Sequence, residues 1–201
     1  MTALLLKDFY TILRQGRLML VFVLVFALIP GLNAAGLAIV YAAMLPYTAL
    51  AYDERSKWDA YAVMLPYSRT TLVAEKYLLG WVATGVAALL SLAGGILLGT
   101  DPMEALVTTL SVAGVALLML AVSLPFMIRY GVEKGRMLFL AFFFLIVMGM
   151  LFLENLTSEG AALPESVVLG LLGVALPVLG LVAQPVSLLV ARPLYFRAHC
   201  T

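Results

Sequence analysis

The sequence predicts an all-α, polytopic membrane protein with six transmembrane helices, an N-terminal helix lying in the interface, and a charged cytoplasmic helix between spans 2 and 3. Three observations carry that expectation. The chain is 64% hydrophobic and only 11% charged, far from the roughly 45–50% apolar and 25% charged composition of soluble domains. Uncharged runs recur at lengths near the ~20 residues that a helix needs to cross about 30 Å of hydrocarbon. All twelve Lys and Arg fall on one side once six spans are drawn. The whole of 1–201 reads as a single transmembrane domain.

Residues 2–16 do not span. Leu5, Phe9, Ile12 and Leu13 recur at helical spacing, with Lys7, Thr11 and Arg14 on the other side, the pattern of an amphipathic helix in the cytoplasmic interface. It reads equally as a simple anchor or as an elbow that feeds span 1. The leader before span 1 is long and patterned and no clear A-x-A site ends the first apolar stretch, which argues against a cleaved signal peptide.

The spans are placed near 18–33, 35–52, 77–99, 105–128, 137–153 and 166–191. Residues 18–52 are uncharged but too long for one crossing, so the turn signal Pro30-Gly31-Leu32-Asn33 divides them. Basic residues then precede span 1, fill the 2–3 and 4–5 connections and follow span 6. The other side carries only Asp101, Glu104, Glu154, Glu159 and Glu165. The positive-inside rule places both termini in the cytoplasm, and Gly80, Thr84, Ala88, Ser91, Gly95, Gly170, Gly173 and Gly180 supply close helix packing in spans 3 and 6, or a dimer seam. Pro46, Pro125, Pro177 and Pro185 are candidate kinks.

Several chemistries lack their residues. No span interior carries a charge for an ion pathway, and Thr84, Ser91, Thr108, Thr109, Ser111, Ser123, Gln184 and Ser187 suit packing hydrogen bonds. One histidine, His199, and one cysteine, Cys200, leave no intramembrane triad, disulfide or cysteine metal site. There is no phosphate-binding G-x-x-x-x-G-K-[ST] loop, and a net charge of +1 gives no reason to expect a nucleic-acid partner.

What remains is Tyr52 to Tyr77, which holds eight of the 23 charged side chains together with Trp58. Residues 53–65 are expected to form one helix. Asp53 or Ser56 caps it, Asp53 pairs with Lys57, and Trp58, Tyr61, Ala62 and Leu65 share a face. Pro66 stops it, and Ser68 caps a second helix, from Arg69 to Lys76, running into span 3. From these residues alone the aromatics read either as an interfacial belt or as anchors for a cytosolic partner.

The run Tyr-Asp-Glu-Arg-Ser-Lys-Trp-Asp-x-Tyr at 52–61, then Leu-Pro-Tyr-Ser-Arg at 65–69 and Lys76-Tyr77, resembles the first cytoplasmic loop of the ABC-2 type permease family, specifically its small six-span bacterial subunits. Leu-Leu-Lys-Asp-Phe-Tyr at 5–10 is similar to that family's start. The resemblance covers residues 4–10 and 50–80. It implies the permease subunit of an ATP-binding cassette exporter in a bacterial cytoplasmic membrane, itself no enzyme, paired with a second permease subunit in the lipid bilayer. It also implies that 2–16 is an elbow helix and that 53–76 is the coupling region. Cytosolic ATPase subunits would then meet Asp53, Glu54, Arg55, Lys57, Trp58, Asp59, Tyr61 and Leu65. This chain would hold no cofactor, and ATP and Mg would be bound in the partner. The loop from Arg129 to Arg136, with Gly131 and Gly135, would be a second contact. The uncharged bundle points to an apolar or amphipathic substrate. The rival expectations are a substrate-capture subunit of an energy-coupling uptake system and a non-transporting scaffold.

Overall fold

The computed structural model describes residues 2–28, 34–62, 64, 68–158 and 171–198. They form helices α1 (Thr2–Gln15), α2 (Arg17–Leu28), α3 (Ala34–Ala43), α4 (Leu45–Arg55), α5 (Trp58–Ala62), α6 (Arg69–Leu97), α7 (Pro102–Tyr130), α8 (Val132–Ser158) and α9 (Leu176–Ala198). A π-helical turn, Leu171–Ala175, leads into α9, and no strand occurs among the described residues. The break expected at Pro30–Asn33, Leu65 and the Pro66 stop, the loop at Leu163-Pro164, Gly170, His199 and Cys200 lie outside the described residues.

Three of these helices are long and apolar enough to cross a membrane, over Thr70–Leu97, Pro102–Tyr130 and Gly173–Arg192, or up to four if α1 and α2 together make one broken span. The expected second span is divided into α3 and α4, of 10 and 11 residues. Pro46 stands at the start of α4 and has no N–H to offer Ala42 O, and at the break Met44 N–H bonds to Tyr41 O at 3.1 Å in a tighter turn. Pro125, by contrast, is carried inside an unbroken α7.

α7 is the central helix, packed against α3, α6, α8 and α9. Leu120, Leu124 and Met127 on it are fully buried against Ile39 and Tyr47. Tyr47 also meets Phe139 of α8 edge-on at 5.4 Å. α7 and α9 approach backbone to backbone: a Cβ on Gly114 would lie 2.5 Å from Pro177 N, and one on Gly180 would lie 2.7 Å from Gly114 O. Gly114 and Gly180 therefore serve packing within the bundle.

The polar residues of the bundle are used the same way. Tyr47 on α4 meets Ser123 Oγ at 2.5 Å, and Ser123 donates to Met119 O in turn. Tyr77 on α6 meets Ser187 Oγ at 2.6 Å, and Ser187 donates across to Ala121 O on α7. Gln184 Nε2 donates to Leu117 O at 2.7 Å. Large apolar side chains cover the outside, among them Trp81, Val82, Leu89, Leu140, Phe144 and Val186. Such a surface exceeds what water tolerates on a soluble domain, and a bilayer solvates it at no cost.

The axes of Leu4–Arg14 and Arg17–Ala27 differ by 80° about Gly16. α1 therefore lies across the end of the bundle, not along it. The face packed on the bundle carries Leu4, Asp8 and Ile12, which are buried, while Leu6, Phe9, Tyr10 and Leu13 point outward. Of the apolar stripe seen in sequence, Phe9 and Leu13 are thus turned away from the bundle while Ile12 packs into it. A helix at a membrane surface has two apolar neighbours, lipid and bundle, and periodicity alone does not say which stripe meets which.

Between α4 and α6 the single helix expected over 53–65 is broken. α4 runs to Arg55, Ser56 ends it, and Lys57 takes φ +52° before α5 starts. Ser56 Oγ donates back to Asp53 O at 3.2 Å, so it closes the first helix and does not cap the second. The left-handed turn at Lys57 costs about 1 kcal/mol against glycine and turns the chain between the two segments. Ser68 caps α6 as expected, accepting from Thr71 N–H at 3.2 Å. α6 then runs unbroken from Arg69 to Leu97, which carries Glu75 and Lys76 into the bundle.

Candidate functional site

Asp8 on α1, Asp53 on α4, and Glu75 and Lys76 on α6 converge where α1 crosses the bundle. Lys76 Nζ donates to Asp8 Oδ2 at 2.5 Å and to Asp53 Oδ2 at 2.6 Å. Lys7 donates to Asp53 Oδ1 at 2.7 Å and lies 3.0 Å from Asp8 Oδ1. Each aspartate is thus shared by two ammonium groups. The Asp8 side chain is 1% exposed and that of Lys76 is 7% exposed, so these ions are held by each other and not by water. Burial pushes the Asp8 carboxyl up, but Lys76 and Lys7 outweigh it and hold the group below its ordinary range. What Asp8 contributes is therefore complete above the ordinary carboxylate range and is lost only as pH falls through the lowered value.

The pairing of Asp53 with Lys57 does not form. The left-handed turn throws Lys57 outward, while Asp53 faces α1 and α6. Glu75 is buried to 2% exposure, and its Oε1 has no hydrogen-bond donor among the described residues. Composition gave no sign of buried charge because Lys7, Asp8, Glu75 and Lys76 stand outside the uncharged runs. One signal was available: Asp8 lies midway in the i, i+4, i+8 series Leu4, Asp8, Ile12, a charge on what proves to be the packing stripe.

Trp58, the first residue of α5, has Lys7 Nζ 4.3 Å from its ring centroid and is half-buried. It ties α5 to α1 by a cation–π contact, a different use from a bare anchor. Arg55 and Lys57 are exposed, as is Tyr61 at 61%. Asp59 follows Trp58 in α5, and Leu65 lies outside the described residues. Glu54 turns to the other side and accepts from Val132 N–H, the first residue of α8, at 3.0 Å. A cavity of about 240 Å³ opens between these elements, lined by Asp53, Glu54, Trp58, Glu75, Lys76 and Arg129 among others. The connection between α7 and α8 is a single residue, Gly131, at φ +87°, tighter than the loop expected at 129–136. Gly135 lies inside α8, close against Met127.

No group of metal-binding side chains occurs among the described residues. The arrangement offers a charged junction joined by ion pairs, with exposed side chains projecting beside it. An all-helical bundle with an apolar exterior and a charged junction at one end is an integral membrane protein. A family model described as ABC-2 family transporter protein matches residues 3–195, so the chain belongs to that family. Comparison with curated proteins and with solved structures returned no match. The two short segments that carry the resemblance in sequence, 4–10 and 50–80, are the ones that the Lys7, Asp8, Asp53 and Lys76 ion pairs bring together.

Proposed function

We propose that this ABC-2 family protein is the permease subunit of an ATP-driven exporter, pairing with a second permease subunit in a bacterial cytoplasmic membrane. It takes its energy from separate ATPase subunits that bind ATP and Mg. In this reading α2, the α3–α4 pair, α6, α7, α8 and α9 are the six spans, both termini are cytoplasmic, α1 is the elbow helix and α5 is the coupling element. The basic residues gathered at the α1 end support that orientation.

One observation carries the reading. The α4–α5 connection presents Arg55, Lys57 and Tyr61 outward while its base is fixed by ion pairs to α1 and α6. A segment exposed at its tip and braced at its root passes a push from a docked partner into the bundle. Of the expected contact residues, Arg55, Lys57 and Tyr61 then meet the ATPase, with Asp59 beside them on α5. The cargo is apolar or amphipathic, since Tyr47, Tyr77, Ser123 and Ser187 within the bundle are engaged with one another or with helix carbonyls.

Copurification with the cognate ATPase tests this. The triple variant Arg55→Glu, Lys57→Glu, Tyr61→Ala should fold and reach the membrane yet retain less than about a tenth of the bound ATPase, the loss expected when interface charges and an aromatic anchor are removed together. Undiminished copurification would sink the assignment of this surface.

A further inference from the structure

Two adjacent carboxylates at the end of α4 face different neighbours, as successive residues of a helix about 100° apart must. Asp53 is held by Lys7 of α1 and Lys76 of α6. Glu54 reaches α8. The first amides of a helix have no partner within it and are usually met by a serine, threonine or aspartate at the preceding position. Here that position is Gly131, which has no side chain and stands at φ +87°. Its amide still closes α7 by donating to Met127 O at 2.9 Å.

The acceptor for Val132 N–H is imported from 78 residues earlier in the chain, as Glu54 Oε2 at 3.0 Å. Glu54 Oε1 would stand 3.2 Å from a Cβ placed on Gly131. Glycine at 131 therefore leaves room for the carboxylate as well as for the turn. A charged acceptor at a helix N-terminus is further favoured by the aligned peptide dipoles.

From this geometry we infer that Glu54 is a positioning residue, a cap from α4 on α8 that hands displacement of the α4–α5 connection to the α7–α8 junction. The inference rests on the proposed function for the source of the displacement, and replaces partner contact as the role of Glu54. Because Asp53 grips α1 and α6 at the same point, the end of α4 is a branch from which one push reaches three helices. The Glu54 branch is made by a single polar contact, beside the apolar packing of Tyr47 on Phe139 deeper in the bundle, so one substitution removes its polar link.

Two measurements in a Cys200→Ser background test it, with wild type, Glu54→Ala and Glu54→Gln, and with Arg55→Ala as an adjacent control in the first, made on the permease alone. In the permease alone in lipid nanodiscs, amide hydrogen exchange over 132–135 should speed about tenfold or more in Glu54→Ala, the factor a charge-assisted hydrogen bond carries. It should speed less in Glu54→Gln, whose amide oxygen still accepts, and stay unchanged in Arg55→Ala. In the complex with the cognate ATPase, maleimide labelling of Lys134→Cys should change in rate when ATP and vanadate are added. Glu54→Ala should keep the ATPase bound and lose that change.

Unaltered exchange in Glu54→Ala would overturn the cap. A full nucleotide-dependent change in Glu54→Ala would overturn the transmission, and loss of ATPase binding would make Glu54 a partner contact and overturn it equally. If wild-type permease bound no ATPase, the proposed function and the transmission would both fall, while the exchange result would still decide the cap.

Discussion

Replacing Lys76 with methionine keeps most of the side-chain length and removes the charge. Lys76 bridges Asp8 at 2.5 Å and Asp53 at 2.6 Å, so its loss leaves Lys7 as the one ammonium paired with both carboxylates in the described cluster. The Asp8 side chain is 1% exposed and cannot recover water. Removing one partner from a buried pair costs about 3–5 kcal/mol, because the remaining charge is stranded. Here Lys7 stays at 3.0 Å from Asp8 and 2.7 Å from Asp53, which places the expected loss near the lower end, about 3 kcal/mol. The double variant Lys76→Met, Asp8→Asn removes the stranded charge as well and should recover at least about 1 kcal/mol of that, the coupling expected of residues in contact. The assay is reversible unfolding in mixed micelles by dodecyl sulfate titration, followed by tryptophan fluorescence. A Lys76→Met protein within about 0.5 kcal/mol of wild type, the range of an ordinary surface substitution, would refute the argument that these ions are held by one another.

Two further outcomes are expected. Gly114→Ala places a Cβ against the backbone at Pro177, and as backbone cannot swing aside, the variant should lose about 1–3 kcal/mol in the same titration; Gly85→Ala, with open space around it, should not. In the Cys200→Ser background, an impermeant thiol reagent should label Ser158→Cys from outside intact cells and leave Ser56→Cys unlabelled, the opposite pattern reversing the proposed orientation.

Helical class and membrane location were legible in the sequence because both follow from composition and run length, which need no partner. The Ser68 cap was legible too, since the hydroxyl and the amide it accepts are three residues apart. The break at Lys57 was not. Asp53 to Ala62 has good helical spacing, and its end is set by Asp53 being pulled to α1 and α6 rather than to Lys57. The inner face of α1 was missed for a related reason: the stripe that packs inward contains a charge, Asp8, and a charge looks like an outward residue until its partner Lys76, 68 positions further on, is seen beside it.

The sequence by itself determined the solvent this chain folds in, the helical class and the polar and apolar inventory of each segment, because those are sums over local residues. Only the tertiary structure decided which charges are inside. Lys7, Asp8, Asp53 and Lys76 are unremarkable ions one at a time, and burying any one alone would cost several kcal/mol. Asp8 and Lys76 are buried because all four arrive together from three helices, with Lys7 and Asp53 half-buried at the edge of the cluster, a condition that distance along the chain does not encode. The same holds for Glu54, whose role depends on a glycine 77 residues away that has no side chain with which to cap its own helix.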